Sequence, residues 1–465
     1  MKQNTLFAII VSNTNYGGLF MDKSLNVEQL EKQRKAYLRN EKLTVIRHAL
    51  SSTTFNNVFI SKDVGNDVDF TFSIDVPTLP VTNQMRSGRC WIFSASNVLR
   101  EIIAKKCDIK GQFEISQNFI AYYDKLEKYN YHAEGIIELL LKGAPHDDRK
   151  VAFLLAGVGD GGQWQMFVEL VKKYGICPKA NFVETAQSSE TMGSSRLCNA
   201  ALRKFAADVY HNYEKDKDVE KLYQLKDEFN KKIFNILSSS FGVPPQKFDF
   251  EYIDKKDKYH IVKNITPKAF FDKYIGEQID EFVSLIHAPT NDKEYGKTYS
   301  LEYVGNVVGG KPIVHLNIDF DRMEELIINT LKDGEIVWFG SDVGKFGDRE
   351  NGVWDDNSFD YVTPFDANLE FDKADMLDFY QAAMNHAMCI VGVDIKNGKP
   401  VRWKIENSWG NAGKEGFYLM SESFFRNFVF QAAIRKKYLS EKELEALNKE
   451  PKLLPPWDPF GTLAE

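Results

Sequence analysis

Apolar residues change their spacing along the chain, and each change predicts a different kind of element. Over residues 25–47 they are sparse, with Leu25, Leu30 and Leu38 set in polar sequence, which predicts a surface or docking helix whose apolar side needs a partner. Over 91–105 the positions Trp91, Phe93, Ala95, Val98, Leu99, Ile102 and Ile103 are apolar all round, as in a buried helix. Residues 184–270 turn rich in Lys, Asp and Glu, and Leu222, Leu225, Phe229, Ile233 and Ile236 recur at helical spacing. After Lys311 and Pro312 the runs 336–340, 388–393 and 401–405 are short, apolar and bounded by Gly, Asp and Asn, which reads as sheet. Asn397-Gly398 between the last two runs is a strong two-residue hairpin signal. Four prolines between Pro451 and Pro459 predict an extended tail.

Composition narrows the classes. With 465 residues, 43% hydrophobic and 27% charged, the chain has material for more than one lobe and for a large core. A net charge of -7 gives no general attraction to phosphate backbones, and the lysines between Lys215 and Lys263 are interleaved with acids, so nucleic acid is not an expected partner. No apolar run reaches the ~18 residues of a membrane span. The run 6–11 near the start is at the short limit for a signal peptide, with no convincing cleavage site after it. Five widely spread cysteines form neither a dense even framework nor a C-x-x-C pair, so reduced thiols and a cytoplasmic location are expected. Asp147-Asp148 and Asp355-Asp356 lack His or Cys at metal-site spacing and read as solvated loop carboxylates; no metal and no cofactor are expected.

Three separated blocks carry the candidate chemistry. The first is Gln84-Met85-Arg86-Ser87-Gly88-Arg89-Cys90-Trp91, which sets the Cys90 thiol at the start of the buried helix, where the helix dipole favours a thiolate. Gln84, six residues upstream across a glycine-containing turn, can offer its amide N–H to an oxyanion together with the backbone N–H of Cys90. The second block is Asn385-His386-Ala387-Met388, with His386 at a strand entrance. The third is Glu406-Asn407-Ser408-Trp409-Gly410, which the predicted hairpin brings back beside His386. An imidazole that takes the thiol's proton makes a nucleophile, an amide oxygen from Asn407 can orient the ring, and Trp409 can shield that bond from water.

These blocks, in the order Gln, Cys, His, Asn, resemble the papain superfamily of cysteine peptidases. Glu114-Ile115-Ser116-Gln117-Asn118 looks like the helix that follows the catalytic one, and Gly161-Gly162 looks like the glycine pair whose backbone pairs with an extended substrate. Residues 319–343 resemble the start of the right lobe. Two departures are informative. Ser87 stands where secreted relatives have a disulfide-forming Cys, and His386 lies 296 positions after Cys90, more than a minimal papain fold holds. Such insertions resemble those of the bleomycin hydrolase and aminopeptidase C family. That resemblance runs over nearly all of 25–465 and includes Asp160-Gly161-Gly162-Gln163-Trp164, Gly340-Ser341-Asp342-Val343-Gly344-Lys345 and the ending Pro456-Trp457-Asp458-Pro459-Phe460-Gly461-Thr462-Leu463-Ala464-Glu465.

The resemblance implies an α+β, papain-like two-lobe fold with a helical left lobe, a β-sheet right lobe, a large helical insertion and a C-terminal arm. The segments it suggests are an N-terminal extension and docking helix (1–65), left lobe (66–183), helix-rich insertion (184–311), right lobe (312–436) and arm (437–465). It implies a thiol aminopeptidase acting through an acyl-enzyme on peptides with a free N-terminus, and a homohexamer. A papain-like endopeptidase and an inactive binding scaffold are the competing readings. Gly461 to Glu465 are expected in the substrate cleft, with Ala464 and Glu465 at its end. There the chain-end carboxylate meets the substrate's α-ammonium group, and either the Glu465 side chain adds a charge or the enzyme trims that residue. The resemblance begins near Leu25, which leaves both Met1 and Met21 open as the first residue.

Overall fold

A computed structural model of the chain describes residues 25–61, 69–349, 351–366 and 371–464. The alternative starts Met1 and Met21, and Glu465, lie outside the described residues. The chain divides into two compact units, 1–60 with 359–369, and 61–358 with 370–465.

In the first unit, the single helix expected over 25–47 is two, Val27–Arg39 and Glu41–Leu50. Asn40 breaks it, because its extended backbone (φ -86°, ψ 104°) stops the first helix while its side chain accepts the Leu43 N–H and caps the second. Neither helix has a buried residue, and Leu25, Val27, Leu30, Leu38 and Val45 are exposed. Phe55, Phe59 and Phe365 stack together at ring distances of 4.7–6.0 Å, and Lys42 donates to the Thr363 carbonyl.

The second unit is α+β. The Cys90–Cys107 helix packs beside Gln117–Leu141, Trp164–Tyr174 and the strand His386–Lys396. Its burial runs from Cys90 to Ala104, as its all-round apolar sequence requires. Gln117–Leu141 is capped by Ser116, whose Oγ accepts from Phe119 N. The charged stretch supplies the helices Met192–Asp216 and Val219–Phe241, the second burying Leu222, Phe229, Ile233 and Leu237.

Within 184–311 the long helices end at Phe241, and a shorter helix, Pro267–Tyr274, comes later. A hairpin, Phe248–Ile253 with Tyr259–Ile265, lies between them, and then Phe282–Ile286 and Thr298–Leu301 enter the main sheet ahead of residue 312. Phe248, Phe250 and Tyr252 alternate with charged residues, a period of two that the Lys- and Asp-rich composition masks.

Among the described residues the sheet runs, by strand, Lys452–Leu454, Thr298–Leu301, His315–Asn317, Phe282–Ile286, Val429–Arg435, Val337–Ser341, His386–Lys396, Lys399–Glu406, Phe417–Ser421, Val353–Trp354 and Gly347–Asp348. The predicted hairpin closes at Asn397 and Gly398, both at positive φ (51° and 77°), with Lys396 opposite Lys399. Its register sets Cys389 opposite Glu406, so His386 and Asn407 emerge at the same end of neighbouring strands. No described helix is long and apolar enough to cross a membrane.

Candidate active site

Cys90 is the first residue of its helix, where backbone N–H groups have no partner inside the helix and carry the positive end of its dipole. The Ala387 N–H donates to Cys90 Sγ at 3.4 Å, which sets the thiol against the residue next to His386. The helix start is held from several sides. Trp91 is fully buried and its Nε1 donates to the Asp160 carbonyl at 2.7 Å. Arg89 pairs through both terminal nitrogens with Glu184 and donates from Nε to Ser87 Oγ. Ser87 in turn donates to the Gln84 carbonyl, so at the position of the absent Cys a hydroxyl ties the turn together.

His386 opens its strand opposite Ser341 and is buried. Its Nε2 lies 2.9 Å from Asn407 Oδ1. The same oxygen accepts the Ser408 N–H at 2.8 Å, so the amide can only present oxygen to the ring, and Nε2 must be the donor. The nitrogen left to take a proton is Nδ1. Burial, with a smaller push from the Arg349 guanidinium, pulls the imidazole down to about 4 against the Asn407 hydrogen bond, which pulls it up. Trp409 covers the pair, its ring centroid 4.9 Å from the imidazole.

Gln84 is zipped to the same loop. Its N–H donates to the Ser408 carbonyl, its Oε1 accepts from Ser408 Oγ at 2.6 Å, and its Nε2 donates to the Ser87 carbonyl at 2.6 Å. An amide nitrogen has two hydrogens, so one remains for a ligand. Gln84, Gly88, Asn385, His386 and Trp409 line a cleft of about 450 Å³. A larger cavity, about 760 Å³, lies along the other end of the Cys90 helix, but no Cys or His lines it among the described residues.

Gly161 and Gly162 flank the site on the helical side. The Gly162 N–H donates to the Ala464 carbonyl at 3.3 Å, an antiparallel bridge to the chain's own arm. The arm is anchored: Gln163 Nε2 donates to the Phe460 and Thr462 carbonyls, Asp458 pairs with Lys293 at 2.9 Å, and the Arg149 guanidinium sits 3.8 Å from the Trp457 ring centroid. Ala464 is fully buried.

Sequence reasoning missed the supports of the glycine pair. Asp160 pairs with buried Lys125 and accepts from Thr191 and Gly88 N, while Lys128 donates to the Gly161 carbonyl. Burial alone would raise the Asp160 carboxyl, but Lys125 and these hydrogen bonds hold it well below the usual carboxylate range. The block 160–164 marks the place, and nothing in the spacing of Lys125 and Lys128 marks the partners. All five cysteines are thiols, and no metal-holding cluster occurs among the described residues. Asp148 caps a helix and Asp355 accepts from Asn357, in keeping with loop carboxylates. A thiol at a helix start, an imidazole with one open nitrogen and an orienting amide together can carry out acyl transfer.

Comparison with known proteins agrees in kind. A family model described as "Peptidase C1-like family" matches residues 24–461. Aminopeptidase C of Lactobacillus delbrueckii subsp. lactis is 45% identical, covering 86% of this chain and 89% of that protein. Aminopeptidase C of Streptococcus thermophilus is 40% identical over 95% of this chain and 99% of its own. The crystal structure of PepW from Lactobacillus rhamnosis superposes with a TM-score of 0.91 at 40% identity, covering 96% of this chain and 100% of that one.

Proposed function

Because the chain belongs to the peptidase C1-like family and is a cysteine aminopeptidase, we propose that Cys90 is its nucleophile, His386 the base, Asn407 the residue that orients the base, and Gln84 an oxyanion donor. Cys90 Sγ attacks the carbonyl carbon of the first residue of a peptide and its proton passes to His386 Nδ1. The oxyanion is met by the free Gln84 Nε2–H and the Cys90 N–H, and His386 returns the proton to the leaving amine. A water then hydrolyses the thioester by the same route in reverse.

The observation that carries the N-terminal mode of attack is the bridge between Gly162 N–H and the Ala464 carbonyl. The arm occupies the backbone positions that a substrate would need for residues further upstream, which leaves room for one residue before the scissile bond. The competing endopeptidase reading requires that strand to be open. Two substrates test it: one peptide with a free and one with an acetylated N-terminus, given to the full chain and to a chain lacking residues 462–465. The full chain should cleave only the free form, and the shortened one both. Equal cleavage of both by the full chain makes the enzyme an endopeptidase, and an unchanged preference in the shortened chain removes the arm from specificity.

The reading extends to a reducing, cytoplasmic setting, supported by five cysteines none of which is joined in a disulfide among the described residues, and to a homohexamer, supported by the exposed apolar residues of the 27–50 helices. Light scattering should then give about six times the 53.3 kDa chain mass; a monomer at micromolar concentration refutes the assembly.

A further inference from the structure

The arm fills one side of the reacting centre, and the 450 Å³ cleft lies on the side of His386 and Trp409. The chemistry says what that cleft receives. His386 must protonate the leaving amine, so the fragment that follows the scissile bond begins against its ring and against Trp409. Two charged side chains, Arg86 and Arg349, line this cleft, and among the described residues no carboxylate lines it or pairs with either arginine. This stands out in a chain of net charge -7, whose buried Arg89 and Arg100 are both ion-paired. Among the described residues, Asp342 Oδ1 accepts from Gly344 N and Asn385 Nδ2, and Asp348 accepts from Asn351; Glu350 lies outside the described residues.

Arg349 is also set for its task. Its guanidinium lies 4.7 Å from the centroid of the Trp409 ring. Stacking on an indole fixes the plane of the group and leaves its N–H edge open to a planar, two-oxygen acceptor.

We propose that Arg349, assisted by Arg86, is a specificity-determining residue that binds a carboxylate on the first residue of the leaving fragment. The inference rests on the aminopeptidase reading above. Two sources carry that chemistry: an Asp or Glu side chain immediately after the scissile bond, and the terminal carboxylate of a dipeptide. Both arginines are exposed, so solvent screens the contact, and the preference expected is roughly three- to tenfold in kcat/KM, falling as salt is raised.

The test uses the full chain and free-amine peptides in two series. One varies the second residue through Asp, Asn and Lys in an otherwise fixed amidated peptide. The other compares one dipeptide with a free and with an amidated C-terminus. The unmodified enzyme should favour Asp over Asn and Lys in the first series, the free dipeptide in the second, or both, which assigns the source. Arg349→Gln should bring these ratios towards one, and Arg349→Glu should turn the first series in favour of Lys. A loss of fold would depress every substrate alike, whereas a reversal of preference needs a charge at the contact. Turnover of free-amine peptides with ratios near one, or ratios that Arg349→Glu leaves unchanged, overturns this inference alone. No turnover of any free-amine peptide overturns the aminopeptidase reading and this one with it.

Discussion

Replacing Gly162 by Ala tests whether the glycine strand and the nucleophile are one mechanical unit. A Cβ at Gly162 would stand 2.4 Å from Trp91 Cε2, 2.5 Å from Cζ2 and 2.6 Å from Cδ2. Ordinary carbon contacts begin near ~3.5 Å, so about 1 Å must open between them. Trp91 has little room to yield. It is fully buried, its Nε1 is bonded to the Asp160 carbonyl, and the Lys128 ammonium sits 5.1 Å from its ring centroid. The strand cannot retreat easily either, because Asp160 and Gly161 are tied to Lys125 and Lys128. If Trp91 moves, Cys90 moves with it; if the strand moves, the Gly162 N–H leaves its acceptor. Overpacking of this kind costs ~1–3 kcal/mol of stability, and a misplacement of ~1 Å at a reacting centre costs on the order of a hundredfold in rate. The assay is kcat/KM on a free-amine peptide, with thermal unfolding as the check that the protein is folded. Gly162→Ala should unfold a little earlier and lose roughly two orders of magnitude in kcat/KM. A folded variant within threefold of the parent would show that the glycine strand and the nucleophile are not one mechanical unit.

Iodoacetamide at pH 6 should alkylate Cys90 well before the other four thiols. Burial raises Cys107, Cys198 (to about 11), Cys177 and Cys389, whereas Cys90 has a helix N-terminus beside it; equal labelling of all five refutes the activation. Asn407→Ala leaves the His386 Nε2 proton unpaired in a buried site, a loss of ~1.5–3 kcal/mol or roughly ten- to a hundredfold in kcat/KM, and His386→Ala should cost more. If Asn407→Ala is the more damaging, the roles are misassigned. Burial depresses His132 and His287 to about 4 and His315 to about 3, so below pH 6.5 the unfolded chain binds protons that the folded chain refuses. Their stabilisation is complete above pH 6.5 and is lost towards pH 4, at ~1.4 kcal/mol per pH unit for each ring. The urea midpoint should therefore fall between pH 7 and pH 5, and a flat midpoint contradicts the neutral, buried rings.

What was legible in the sequence was local or was fixed by a turn. Cys90 at a helix start follows from the apolar run after it, and the meeting of His386 and Asn407 follows from one Asn-Gly hairpin and a period of two. What was hidden depends on distant partners. Lys125 and Lys128 lie mid-helix and read as ordinary charges, yet they are buried because Asp160 and the Gly161 carbonyl lie across from them. Gln163 reads as part of a motif, and its clamp on Phe460 and Thr462 spans nearly 300 residues. The strands before residue 312 were missed because net composition outweighed alternation in the 248–265 stretch. Nothing in the sequence marks Arg349, since only the fold sets it against Trp409.

The hydrogen bond at one end of the ring divides the work of the imidazole. Ser408 N–H fixes Asn407 Oδ1, and Asn407 Oδ1 fixes the proton on Nε2, so that end of the ring is unchanged whether the ring is neutral or charged. Every protonation event is thereby confined to Nδ1. Burial and Arg349 both oppose a proton there, so an isolated His386 would remain neutral at the pH of the cell. A thiolate at Cys90 supplies the compensating negative charge, and the helix dipole and the Ala387 N–H favour that thiolate from the other side. In the proposed mechanism, proton and charge therefore belong to Cys90 and His386 as a pair, and neither residue holds its reactive form without the other.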